Sequence, residues 1–243
     1  MENREIFSGL RIIPPVFVRL DGRAFHRLSR VLHLKKPFDE RFSEAMQSVC
    51  TSLIRGSGMN PEFAFTFSDE ISLYFRHLPF EGRVEKVDSV CASYAASSLT
   101  LALQCGTPLA FDARILPAFG SHAVEYLIER QREAWRNHIN AYGQHALIEE
   151  GFSPREAAGR LKKVPAKEIH EMLHAKGVNL AKTPAWQRRG MLVYKECVER
   201  EGYNPLTQEA VRVLRSEVRV CTDPPVFSSP EGRELLSSLL DRP

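Results

Sequence analysis

Cysteine is scarce and carries no metal-site or disulfide pattern: five residues, at 50, 91, 105, 197 and 221, form no CxxC pair and leave one over. A disulfide framework or a zinc ribbon is therefore not expected, and reduced thiols in a cytosolic compartment are. No window approaches 18 uninterrupted apolar residues, which excludes a helix spanning a membrane. Met1-Glu-Asn-Arg-Glu also lacks the basic-then-apolar order of a secretion signal, so the expectation is a cytoplasmic protein with no membrane partner. Internal repeats and low-complexity runs are missing too. Excess charge is small: 33 basic against 30 acidic residues, net +3, permits a phosphate-rich partner without demanding one. What remains is a chain of 243 residues, 43% hydrophobic and 26% charged, long enough for a large core with an appendage.

The stretch Val16-Phe-Val-Arg-Leu-Asp-Gly-Arg-Ala-Phe-His26 drives a β-branched and aromatic run, bounded by Pro14-Pro15, into a carboxylate and a glycine. It reads as a buried strand ending in a sharp turn. There Gly22 tolerates a positive φ and leaves its backbone open to close approach by a phosphate or metal. Taken alone, an ordinary Asp-Gly turn accounts for the dipeptide. The second acidic element, Phe63 to Phe75, consists of two strand-like runs meeting at Ser68-Asp-Glu70. A hairpin tip favours Asn-Gly or Asp-Gly; Asp69-Glu70 breaks that rule without structural gain, which marks a functional position. Paired strands would present Asp21 and Asp69 side by side, where carboxylates repel unless cations bridge them. Magnesium, an oxygen-seeking divalent ion, suits such a pair. Glu70 alternates to the face opposite Asp69 in a regular strand and takes a supporting role, with a solvated hairpin residue as its plain alternative.

Apolar residues at 42, 45, 46, 49, 50, 53 and 54 trace a helix opened by an Asp39 cap and stopped at Gly56-Ser-Gly58. Val84 to Leu103 predicts a second helix and Leu109 to Leu116 a strand. Strand, helix, hairpin, helix, strand is the split βαβ order of the ferredoxin-like class, an α/β (α+β) palm with an antiparallel sheet, shared by polymerases and nucleotidyl cyclases. From Ser121 to Lys176 the chain turns helical, with a capping box at Ser153-Pro-Arg-Glu156. Gly190 to Tyr194 predicts a last strand returning to the sheet, and helices are expected near 207–220 and 230–240. The expected division is a palm-like catalytic domain over 1–120, a helical extension over 121–201 and a helical tail over 202–243.

Arg19-Leu-Asp-Gly-Arg-Ala-Phe-His26, Lys36-Pro-Phe-Asp39 and Ser68-Asp-Glu-Ile-Ser72 resemble the signature blocks of the tRNA-histidine guanylyltransferase family, which includes guanylyltransferase-like proteins that extend tRNA 5′ ends in the 3′-to-5′ direction. Looser similarity continues through Arg83-Val-Glu-Lys86, Phe111-Asp-Ala-Arg114 and Gly159-Arg-Leu161 to Arg189-Gly190, so the resemblance covers roughly residues 5 to 197.

The resemblance implies a nucleotidyltransferase with two magnesium ions on Asp21, Asp69 and the Gly22 carbonyl, with Glu70 as a further catalytic carboxylate. It implies GTP and ATP as substrates bound by Arg19, Asp21, Gly22, Arg23, Ala24, Phe25, His26, Lys36, Asp39, Ser68, Asp69, Arg83, Lys86 and Arg114. A 5′-monophosphate end would need activation with ATP or GTP; a triphosphorylated end would not. It also implies tRNA as partner and a homotetramer built as a dimer of dimers. Asn137, Arg155, Arg160, Lys162, Arg188 and Arg189 are candidates for RNA contact, with a solvated helix face as the alternative.

Two departures bear on substrate choice. The block His-Ile-Asn-Asn-Leu-Tyr-Asn of the eukaryotic enzymes retains, counted without gaps, a single asparagine at Asn137, and Ile71 replaces the usual tyrosine after Glu70. Both favour the branch that repairs 5′ ends against the opposite strand over strict selection of tRNA-histidine. Three other functions fit parts of the chain: a nucleotidyl cyclase on the same palm, a non-catalytic RNA-binding module, and a zinc hydrolase built on His170-Glu-Met-Leu-His174.

Overall fold

The computed structural model describes residues 5–204 and 208–241. Its centre is a six-stranded, wholly antiparallel sheet in the order β4-β1-β3-β2-β5-β6. Strands β1 (Val16–Gly22), β2 (Phe63–Phe67), β3 (Glu70–Phe75) and β4 (Phe111–Pro117) make the 4-1-3-2 core expected of the ferredoxin-like order. The short helix α1 (Phe25–Val31) and α2 (Glu40–Arg55) follow β1, and α3 (Val84–Ala102) joins β3 to β4.

Alternation along β1 assigns the two faces. Val16, Val18 and Leu20 are fully buried against Met46, Val49 and Leu53 of α2 and Val87, Cys91 and Ala95 of α3. Phe17 faces the other way. It joins Phe63, Phe65 and Tyr74 in a second core closed by Leu127 and Ile128 of α4 (Ser121–Glu149) and by Leu236 and Leu239 of α8 (Pro230–Leu240). At 29 residues, roughly 44 Å, α4 is longer than the sheet is wide. Its far half packs on α5 (Pro154–Leu161) and α6 (Ala166–Ala175) through Ile139, Leu147, Leu161 and Leu173. The capping box at Ser153 and Glu156 is formed.

The strand expected at Gly190 runs much further. After α7 (Ala185–Arg189), β5 (Met191–Asn204) pairs with β2 over four residues and then continues as a two-stranded ribbon with β6 (Glu209–Cys221). The helix expected over 207–220 is therefore a strand over its described part. Val211, Val213, Val218 and Val220 are β-branched, lose rotamer freedom in a helix and fit a ladder. Arg200–Glu217 and Arg219–Glu196 ion pairs span that ladder. The helix expected near 230–240 is α8.

Candidate functional site

On an antiparallel sheet, directly opposed residues share a face. Asp21 opposes Glu70 on β3 and Asp112 on β4; Arg19 opposes Ser72 and Arg114. All of these sit on the Phe17 face, beyond the edge of its apolar core. The β2–β3 hairpin turns through Ser68 and Asp69, with Ser68 taking the positive φ of 50° that the turn needs. Ser68 Oγ donates to Asp69 Oδ1 at 3.0 Å, and the Asp69 carbonyl accepts from the Gly22 N–H at 3.1 Å. Asp21, Ser68, Asp69 and Glu70 consequently line one cavity of about 260 Å³, together with Arg19, Arg130, Glu133 and Asn137.

Gly22 earns its place by close approach, not by turn geometry. It lies in β1 without a positive φ, and the left-handed residue is Ala24 at φ 63°. A Cβ on Gly22 would stand 2.4 and 2.6 Å from Phe25 ring carbons and 2.9 Å from the Asp69 Cβ. Phe25 itself packs edge-on to Phe42 and Phe111, so its part is to seat the turn.

Glu70 also differs from its expected placement. It begins β3 on the same face as Asp21, with its side chain only 13% exposed and Oε2 3.3 Å from Arg130 Nη1. Burial pushes its carboxyl above the usual range, Arg130 and Arg19 pull it down, and Asp21 adds to the rise. A solvated hairpin residue does not fit that setting.

Asp39 is the N-cap of α2: its carboxylate accepts from the Lys35 and Phe42 N–H groups at 2.7 and 3.1 Å. Burial alone would raise its pKa, but those backbone donors and Arg41 hold it below the ordinary value. Lys36 is exposed in the loop before that cap. Arg114, opposite Arg19, is paired with Asp112 at 3.2 Å. Arg23 is exposed beside the turn, and the His26 side chain lies outside the described residues. Arg83 and Lys86 open α3 beyond the far end of β3, where Phe75 opposes Val16. That is five strand positions, or about 17 Å, from Asp21, and the structure does not bring the two cations to the cavity.

Of the RNA candidates, Asn137 reaches the cavity wall. Arg155, Arg160 and Lys162 lie on or just after α5, under the far half of α4, and Arg160 stacks 4.0 Å above the Phe152 ring. Arg188 donates to the Thr183 carbonyl and Arg189 to Asp223 and the Pro224 carbonyl, so both are tied into the chain. His170 and His174 sit on α6, and among the described residues no group of three or more His, Cys, Asp or Glu is arranged to hold a metal ion.

Arg130 and Glu133 were not foreseen as wall residues. Their signal was the spacing Tyr126, Arg130, Glu133, Asn137, which puts four polar groups on one side of α4; the apolar stripe of the same helix is the stronger pattern and masks it.

A family model described as tRNAHis guanylyltransferase matches residues 4–127, just over half of the chain. The tRNA(His) guanylyltransferase of Schizosaccharomyces pombe is 26% identical over 213 residues, covering 79% of this chain and 78% of that protein. That of Candida glabrata is 30% identical over 200 residues, covering 73% and 81%. A bacterial tRNA(His) guanylyltransferase-like protein, solved in complex with ATP, matches the fold with a TM-score of 0.72 at 25% identity, over 96% of this chain and 93% of its own.

Proposed function

The chain belongs to the tRNAHis guanylyltransferase family, a family of nucleotidyltransferases, and from that premise we propose that it adds nucleotides, guanylate most readily, to the 5′ end of a tRNA in the 3′-to-5′ direction, templated by the opposite strand. One observation carries the reading: Asp21 and Asp69, far apart in sequence, line one cavity, and the Gly22 N–H next to Asp21 donates to the Asp69 carbonyl at 3.1 Å.

Growth at a 5′ end requires the incoming nucleotide's 3′-oxygen to bond to the phosphorus at the RNA terminus, while the activating group leaves that phosphorus. Little covalent work falls to the protein in such a transfer; it positions the groups and offsets charge. The donor set suits magnesium: two carboxylates lining one cavity and a neighbouring backbone oxygen, all hard ligands. Two bound magnesium ions would supply charge neutralisation at the phosphates and ease loss of the hydroxyl proton. Asp21 and Asp69 hold that pair, and Glu70 supports them from β3. Ser68 and the backbone from Gly22 onward line the nucleotide, while Arg19, on the same face, directs its positive charge at the phosphates. Lys36, Arg114 and Arg23 border the same end of the sheet. Asn137 faces the RNA end from α4, and Arg155, Arg160 and Lys162 contact backbone phosphates farther away. GTP and ATP are the proposed nucleotide substrates, the latter activating a 5′-monophosphate. The assembly is proposed to be a cytoplasmic homotetramer.

Incubation with labelled GTP, magnesium and a 5′-truncated tRNA tests the reading. Label should enter the tRNA with the parent protein and fail to do so with Asp21→Ala and Asp69→Ala. A parent that leaves the tRNA unlabelled, or that turns GTP alone into a cyclic product, contradicts it.

A further inference from the structure

Among the described residues five buried side-chain polar atoms lack a hydrogen-bond partner, and three of them form one cluster: Arg19 Nε, Glu70 Oε1 and Arg130 Nε. All three side chains belong to the wall that also carries Asp21 and Asp69. Arg130 reaches this cluster from α4 and meets Glu70 at 3.3 Å through a single nitrogen, with the two side chains 18% and 13% exposed. One helical turn earlier, the Tyr126 and Ser72 hydroxyls share a 2.8 Å hydrogen bond, and the Arg130 guanidinium stands 5.9 Å from the Tyr126 ring. Helix α4 thus grips β3 at residues 70 and 72, on the face that holds Asp21 and immediately after the turn that holds Asp69.

As a purely stabilising device this is poor. A buried ion pair is weak evidence of stability, because each charge loses its water and each unmet polar atom adds a further penalty. An apolar trio of similar volume would serve the packing as well. The three atoms are closed to solvent, so a ligand cannot reach them as they stand; the cost is borne inside the protein. A buried group kept in a costly arrangement beside a cavity points to function.

We propose that Arg130 is a positioning residue for nucleotidyl transfer: through its contact with Glu70 it fixes the carboxylate wall around Asp21 and Asp69 in the geometry the reacting phosphates require. The inference rests on the transferase reading above. It assigns a role to Arg130, which lies in none of the signature blocks, and it predicts that Arg130 acts on the transfer step and not on nucleotide binding. Lysine cannot replace it, since an ammonium lacks the planar fork that reaches Glu70 while lying against Tyr126.

The test compares the parent with Arg130→Lys, Arg130→Met, Glu70→Gln and the double variant Arg130→Met/Glu70→Gln. Transfer of labelled GTP to a 5′-truncated tRNA gives kcat and KM, equilibrium dialysis gives the GTP Kd, and thermal melting reports the fold. Both Arg130 variants should lose about tenfold or more in kcat, as a small misplacement of reacting groups does, with GTP KM and Kd within about threefold; Tm should fall in Arg130→Met, where Glu70 is left as an unpaired buried charge, and recover in the double variant. The double variant should be no slower than the slower single one, because the two residues act as a unit. An Arg130→Met protein with kcat within about twofold of the parent overturns the proposal. So does a loss confined to GTP affinity, or single losses that multiply in the double variant. An inactive parent overturns both this and the transferase reading; an active parent with unimpaired Arg130 variants overturns this alone.

Discussion

Asp21 and Glu70 stand directly opposite each other on β1 and β3, so both carboxylates leave the same face of the sheet. Asp112 opposes Asp21 from β4 on the other side. Like charges held this close destabilise the sheet that bears them.

Removing the central charge should therefore separate stability from activity. Asp21→Asn is expected to melt at the parent's temperature or up to about 3 °C higher in EDTA, while transfer of labelled GTP falls by roughly 10²–10³, the scale seen when one electrostatic contact to a transition state is lost. Melting curves and transfer rates on the same preparations check it.

Gly22→Ala tests the close approach at the turn. The added methyl would fall inside contact distance of both the Phe25 ring and the Asp69 Cβ. One of them must move, at about 1–3 kcal/mol. If Phe25 yields, only stability suffers; because Asp69 is also pressed, transfer should drop by more than the loss of folded protein explains. Activity per folded molecule, from combined melting and kinetic data, measures that.

The core and the hairpin turn at Ser68-Asp69 are legible in the sequence because local and global signals agree there. Val16, Val18 and Leu20 alternate with polar or opposite-face residues, Asp39 caps a helix with an apolar stripe, and Ser68-Asp69 interrupts two β-branched and aromatic runs. The β5–β6 ribbon was not legible. Beyond Tyr194 it pairs mainly with itself and buries little, so its residues carry no strong inside–outside alternation, and Glu, Arg and Leu in β6 also suit a helix. Glu70 alternates away from Asp69 only where one regular strand holds both; the turn takes Ser68 and Asp69, so β3 begins at Glu70 and sets it opposite Asp21. Arg83 and Lys86 fall in the looser part of the family resemblance, and only the register shows that α3 begins at the far end of the sheet.

His138 should make the fold acid-labile. The imidazole is fully buried among Phe38, Trp135 and Tyr142, with Nε2 2.9 Å from Thr183 Oγ1. Burial, helped by Arg188, lowers its pKa from 6.5 to about 4. Between those values the unfolded chain binds the proton and the folded chain does not. Stability is whole above pH 6.5 and is lost as the pH falls toward 4, by up to ~3 kcal/mol. His138→Gln, which does not titrate, should flatten the fall of Tm over that window, whatever its effect at pH 7.

Asp88 has the opposite sign. It lies in a cavity of about 520 Å³ lined by Phe7, Leu10, Val84 and Ala92, with Oδ1 buried and without a partner, and burial raises its carboxyl from 3.8 to about 6. The folded chain holds this proton longer than the unfolded one, so the group favours folding at low pH and that advantage disappears as the pH rises from 3.8 through 6. Asp88→Asn should raise stability at pH 8 by about 1–2 kcal/mol after allowance for partial exposure, and by nothing measurable near pH 3.5. Paired melts at the two pH values decide it.

The central claim is that Asp21 and Asp69 act jointly on a divalent cation at a nucleotide's phosphates. Its most direct measurement is the Kd of GTP as a function of magnesium concentration, for the parent, Asp21→Asn, Asp69→Asn and the double variant. The account predicts that magnesium tightens GTP binding to the parent, that either single substitution abolishes that dependence, and that the double variant adds nothing further. A magnesium dependence that survives in both single variants would contradict it.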